Sequence, residues 1–332
     1  LPSLARESAT MTAPRVRYLA PFGSQSGYGQ AVSDYLMALL AAGCELDIDP
    51  VPETFDASDL AERYSELLLY QNTHLDPTHY IIHTVPFLAH HFLEDELAPA
   101  ASVPRICNTT WETNKAPEAV ELSLKGFKGV VVPSKFVLEA IPQATVIPHS
   151  FDPKHWIRAQ PARKHRPYTF YTILTWCERK NPIGLLKAYL TAFNNCHNVL
   201  LKIITPAFCE EDVKSLELSL ALDGLPPVEF VTDRLTDEEI YQQHALGDCY
   251  VTVSRGEGWG LGAFEACLVG NPVIATQFSG LTDFLDEYLH KNYVPVFLTP
   301  AITPEPKIIK PVRFAGRDVQ PAKNPAPLEI TA

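Results

Sequence analysis

Short apolar runs alternate with longer amphipathic stretches through most of the chain. Residues 16–20, 45–51, 80–83, 105–109, 129–132 and 144–147 read as strands. Between them, residues 30–42 have helical spacing and stop at Gly43, and Ser134 is placed to cap a helix after Pro133. A second series begins at Tyr168, with strands at 168–175, 199–205, 228–231, 249–253 and 273–275. Its helices are 183–193 behind Pro182, 210–222, 236–245 and 262–268. Thr236 with Glu239 forms a capping box. Strands alternating with helices and ending in polar loops predict an α/β protein with open parallel sheets, whose ligands sit beyond the carboxyl ends of strands.

The pattern divides the chain. Residues 1–14 read as an extension, with Met11 as the natural start, and 15–151 as a first α/β domain. Residues 152–167 are a proline-containing basic linker, 168–294 a second α/β domain, and 295–332 a poorly ordered tail. The tail holds eight prolines and has no periodicity.

Composition fits an ordinary globular chain of 332 residues with 46% hydrophobic and 20% charged content. Net charge is -12, concentrated in residues 1–150, which carry 18 acidic and 9 basic side chains. That balance argues against a nucleic-acid partner, because no cation excess is present to displace counterions. Seven scattered cysteines without a C-x-x-C read as free thiols in a reducing compartment, hence a cytoplasmic location. No apolar run reaches the ~20 residues of a membrane span, and no signal peptide is visible; peripheral membrane contact stays open.

Chemistry concentrates at 251–285. Between a strand and a helix, Gly256, Gly258, Gly260 and Gly262 fall within seven residues. Missing Cβ atoms let backbone approach a ligand, and the amides that follow sit at a helix N-terminus, where anions bind favourably. Glu257 and Glu265 flank the loop and suit sugar or ribose hydroxyls. The combination predicts a nucleotide-sugar; the loop alone also reads as a βα turn that needs small residues. Asp47 and Asp49 spell D-x-D on a strand and read as a solvent-facing pair rather than metal ligands. The glycines Gly23, Gly27 and Gly29 do not fit G-x-G-x-x-G.

Glu257 and Glu265, with seven residues between them, together with Ser254, the E-G-aromatic-G core through Trp259 and the run 270–275, resemble the signature of the retaining GT-B glycosyltransferases of group 1, the family 4-like enzymes. WETNKAP (111–117), VPSKF (132–136), IPHSFD (147–152) and ERKNPIGLLKAY (178–189) are similar to further motifs of one branch. The resemblance covers about residues 15–290. It implies a GT-B fold, two Rossmann-like domains facing across a cleft, with the donor on the second and the acceptor on the first. It implies retaining sugar transfer from a nucleotide-diphosphate sugar to a glycan, lipid-linked or small-molecule acceptor, without metal or cofactor. The alternative is a non-catalytic nucleotide-sugar or carbohydrate-binding member. By position Glu265 would hold the ribose, Glu257 the donor sugar, and the backbone of Gly258, Trp259, Gly260, Leu261 and Gly262 the sugar or phosphate. Arg179 and Lys180 match the family's basic pair on the leaving diphosphate; such charges favour the transition state, where phosphate charge grows. Gly27 and Gly29 match the first-domain glycine loop. His83 matches a histidine near the reacting centre, although a histidine ending an apolar strand is as often simply packed. Ser150 stands where the motif usually has Gly, Leu174, Thr175 and Trp176 occupy the place of an extra basic residue, and no closing helices are visible after Tyr293.

Overall fold

The computed structural model describes residues 13–24, 26–51, 60–93, 100–158, 167–195, 197–220, 224–285, 293–296, 312–314 and 317–319. Its first half contains the strands β1 (Arg15–Ala20), β2 (Glu45–Pro50), β3 (His79–His83), β4 (Arg105–Asn108), β5 (Gly129–Val132) and β6 (Thr145–Val146). They form one all-parallel sheet in the order β2-β1-β3-β4-β5-β6. Helices α1 (Gly27–Ala41), α2 (Pro86–Ala89), α3 (Glu118–Ser123) and α4 (Lys135–Ala140) make connections. Parallel neighbours need such crossovers, and both faces of the sheet become buried. On β1, Val16, Tyr18 and Ala20 pack with Val32 and Leu36 of α1, while Leu19 faces the other way onto Tyr80 and Ile82.

After α5 (Pro153–Trp156), the second half repeats the scheme with β7 (Tyr168–Ile173), α6 (Pro182–Ala192), β8 (Val199–Ile204), α7 (Glu210–Leu220), β9 (Val228–Val231), α8 (Asp237–Leu246), β10 (Cys249–Thr252), α9 (Leu261–Val269), β11 (Val273–Thr276) and β12 (Tyr293–Val296). The sheet order is β12-β11-β10-β7-β8-β9, again all parallel. In each sheet the winding direction reverses once, between β1 and β3 in the first and between β7 and β10 in the second. The crevice outside such a reversal is where open α/β sheets bind ligands.

The two halves touch along one seam. Ser134 Oγ, which caps α4, also donates to the Gly258 carbonyl at 2.7 Å. The Lys135 amide donates to Asp283 at 2.8 Å, and Phe136 meets Phe278 edge-on.

Several expectations are corrected. Helix α1 starts at Gly27 rather than at residue 30, because Ser26 Oγ caps it by accepting from the Gly29 amide. The expected linker contains α5, capped by Asp152, and its Trp156 is buried against Tyr241, Ala245 and Val269 of the second half; residues 159–166 lie outside the described ones. The expected tail begins inside β12, and β13 (Val312–Phe314) pairs antiparallel with β14 (Arg317–Val319). The rest of the tail lies outside the described residues, as does the expected extension apart from residues 13 and 14. Asp47 is not solvent-facing: it is 3% exposed, accepts from Thr73 N and lies beside Arg17 on the neighbouring strand, which also pairs with Asp49. Among the described residues no helix is long and apolar enough to cross a membrane, and no cluster of His, Cys, Asp and Glu could hold a metal ion.

Candidate active site

At the second reversal point, β7 runs into a short turn, Glu178–Lys180, and Asn181 takes a left-handed conformation (φ 53°) before Pro182 opens α6. This presents Arg179 and Lys180 to the loop leaving β10. Lys180 Nζ lies 2.6 Å from Glu257 Oε1, and Arg179 Nη1 lies 3.2 Å from Oε2. Arg179 also donates to the Gly256 carbonyl at 2.7 Å and pairs through Nη2 with Glu112, from beyond β4, at 2.8 Å. The Arg255 amide donates to the Arg179 carbonyl at 2.7 Å. Glu257 is buried; burial alone would raise its pKa, but the charges of Lys180 and Arg179 hold the carboxyl below its usual range. Burial pushes Glu112 the other way, with Arg179 opposing and Glu257 adding to the rise. Two cations and two carboxylates therefore balance inside the seam.

The glycines owe their identity largely to the protein's own packing. A Cβ on Gly256 would strike the Glu112 carbonyl, and one on Gly258 would strike Thr110. Gly260 (φ 95°) needs the left-handed region to start α9 and also abuts Leu281. Gly262 is held by the Tyr250 hydroxyl and Gly29 by the Ser24 carbonyl. At Gly29, Gly256, Gly258 and Gly262 the space a Cβ would need is already taken by backbone or side chain of this chain. Gly27 differs, meeting only Leu261 across the cleft at ordinary contact distance.

On the first-sheet side, His83 ends β3 beside the reversal point. The Tyr18 hydroxyl lies 2.9 Å from its Nδ1, and Tyr28 and Tyr35 pack edge-on against the ring. Burial, with a smaller push from His149, lowers its pKa to about 3, so the imidazole is neutral at physiological pH. His149 in turn meets Trp259 edge-on. Among the described residues the buried Trp259 Nε1, Thr110 Oγ1 and His149 Nδ1 have no hydrogen-bond partner.

Glu265 stands apart from the cation pair. Its carboxylate lies 3.3 Å from His244 Nε2 on α8. Elsewhere the seam opens into a cleft of about 710 Å³ bounded by Gly23, Ser24, Gln30, Arg63, Thr236 and Asp237, which Glu265 does not line. Sequence reasoning missed the charges here. Arg63 makes two hydrogen bonds to Asp237, 2.8 and 3.1 Å, and one to Asp34 at 3.3 Å, and Tyr64 donates to Asp34 at 2.6 Å. Nothing local marks them, since Arg63 and Asp237 lie 174 residues apart. Glu112 offered a weak signal, standing in the polar loop after a strand.

Burial pushes the Asp34 carboxyl up to about 6 although Arg63 and Tyr64 pull it down; the charge of Glu265 adds to the rise. A raised carboxyl costs nothing while both folded and unfolded states are protonated. The cost grows as pH climbs from about 3.9, where the unfolded aspartate ionises, and is complete above about 6. Asp34→Asn should therefore gain stability relative to the parent as pH rises from 4 to 7, read from melting temperatures across that range; a difference that stays level with pH would contradict the shift.

Residues 154–297 match the family model described as glycosyl transferases group 1. No curated protein matches the chain by sequence. Among solved structures, trehalose-6-phosphate synthase OtsA superposes with a TM-score of 0.58 at 12% identity, over 85% of this chain and 88% of that one. The Anabaena protein HepE, in complex with UDP-glucose, gives 0.57 at 15% identity over 82% and 83%. The lipopolysaccharide outer core galactosyltransferase WaaB gives 0.57 at 13% identity over 85% and 86%. The fold is GT-B. In GT-B terms the seam is the interdomain cleft: Glu257, Lys180 and Arg179 meet in it, Gly27 faces Leu261 across it, and His83 is buried behind it in the first half.

Proposed function

We propose that this chain transfers a sugar from a nucleotide-diphosphate sugar to a hydroxylated acceptor with retention at the anomeric carbon. The observation that carries the reading is the meeting of Lys180 and Arg179 with Glu257 and the N-terminus of α9 at the second reversal point. The family match over residues 154–297 and the UDP-glucose complex of HepE support it. In this reading Glu265 holds the ribose hydroxyls and Glu257 the donor sugar. The amides of residues 260–263, with Gly27 and Gly29 opposite, face the diphosphate. The acceptor oxygen bonds to the anomeric carbon as the bond to phosphate breaks on the same face. The electron pair leaves with the phosphate oxygen, which takes the acceptor's proton. Lys180 and Arg179 exchange Glu257 for the leaving phosphate as its charge grows, so their attraction is strongest in the transition state. No metal is needed for that charge. Neutral His83 can hydrogen-bond to the sugar without adding charge. The free cysteines support a reducing compartment such as the cytoplasm.

The test is to offer UDP-, GDP- and ADP-sugars to the purified protein and follow binding, hydrolysis and product anomer by NMR. One donor should bind and release sugar in its original configuration; no binding and no turnover with all three would sink the proposal.

A further inference from the structure

A chain of buried groups ends on Glu265. Asn271, fully buried after the turn that closes α9, donates through Nδ2 to the Tyr171 hydroxyl at 2.8 Å and to the His244 carbonyl at 2.6 Å. The Tyr171 hydroxyl lies 2.9 Å from His244 Nδ1, and His244 Nε2 lies 3.3 Å from Glu265 Oε2. Directions follow from the donor inventory. The Asn271 amide nitrogen can only donate, so the Tyr171 oxygen accepts from it. A carboxylate only accepts, so His244 donates to Glu265 through Nε2, and the neutral ring then accepts the Tyr171 proton at Nδ1. The ring cannot turn away. Trp156 and Tyr171 pack edge-on against it, Tyr250 lies nearly parallel, and the residue has no exposed surface.

None of these groups lines the open cleft. We propose that His244 is a positioning residue: it fixes the Glu265 carboxylate, through a tautomer set by Tyr171 and Asn271, in the orientation that receives the donor's ribose hydroxyls. Tyr171 is on β7, His244 on α8, Asn271 before β11 and Glu265 on α9. The relay thus ties the carboxylate to three elements besides its own helix. A carboxylate with one oxygen already engaged offers the other in a defined direction, which lowers the ordering cost when a ligand binds.

The inference rests on the ribose role given to Glu265 above, and the experiment separates the two. Binding of UDP, GDP and ADP is measured by calorimetry, and the tightest is compared with its 2′-deoxy and 3′-deoxy forms. Glu265→Gln tests the ribose role itself: it should weaken the ribonucleotide and erase its advantage over at least one deoxy form. If that advantage survives, or if no nucleotide binds, the ribose reading fails and the positioning role falls with it. If Glu265→Gln behaves as expected, His244→Phe and Tyr171→Phe decide the relay. Both should weaken the ribonucleotide about tenfold, the loss of one hydrogen bond to a charged group, and leave the deoxy form within about twofold. His244→Gln, which keeps a donor, should recover most of the loss. Equal weakening of both nucleotides in His244→Phe and Tyr171→Phe would mean a packing role only and would overturn the proposal. Should His244→Phe not fold, Tyr171→Phe alone reads the same ratio, since it removes one hydroxyl and keeps the ring.

Discussion

Lys180→Met is expected to lower kcat roughly a hundred- to thousand-fold, the usual cost of deleting one group that stabilises developing charge. The donor's KM should change far less. In the resting site Lys180 Nζ sits 2.6 Å from Glu257, a contact made before any substrate arrives. In the proposed reaction its value lies in what replaces that contact, a phosphate that becomes more negative as the glycosidic bond stretches. Removal also leaves Glu257 buried with Arg179 as its remaining cation, which costs stability on its own account. The double variant Lys180→Met with Glu257→Gln, read against Glu257→Gln alone, separates the two effects, because a neutral amide tolerates the missing charge. Its melting temperature should recover while its kcat stays low. Recovery of activity along with stability would show that the lysine serves the fold and not the chemistry.

Arg63→Met is expected to cost about 3 kcal/mol at pH 8, in the range for breaking a buried ion pair. Arg63, Asp34 and Asp237 have side chains only 12%, 6% and 16% exposed, so solvent does little to screen what is lost. The guanidinium bridges the halves: Asp34 lies on α1 and Asp237 on α8, and the arginine also covers the Tyr64 ring. The loss should shrink at pH 5. The Asp34 carboxyl, already pushed up to about 6, rises further without Arg63 and becomes neutral there. Denaturant unfolding at the two pH values measures both numbers. A cost below about 1 kcal/mol at pH 8, the level of an exposed pair, would show that the bridge contributes little.

What the sequence disclosed was what is local. Strands announced themselves as apolar runs, and the Thr236 and Glu239 box spans one helical turn. The glycine loop and its flanking acids are continuous in the chain, so the core of the candidate site could be named from spacing. The helix start at Gly27 escaped because Ser26 caps α1 through the glycines themselves, which were read as loop. Sheet order, and with it the two reversal points, depends on which distant strands pair. The Asp47 error has that origin, since β1 supplies Arg17 from the adjacent strand. Likewise a histidine in the middle of α8 is unremarkable until folding sets it between Tyr171 and Glu265. The glycines were recognised, but their packing was not legible: Glu112 and Thr110, which a Cβ on Gly256 or Gly258 would strike, come from the other half of the chain.

The hydrogen bond from Arg255 to the Arg179 carbonyl, and the return bond from the Arg179 side chain to Gly256, have a consequence for engineering. The loops after β7 and β10 are sewn together, and neither keeps its shape by itself. A graft that borrowed one of them from a relative would import half a seam, so swaps of donor preference should move the two loops as a single cassette.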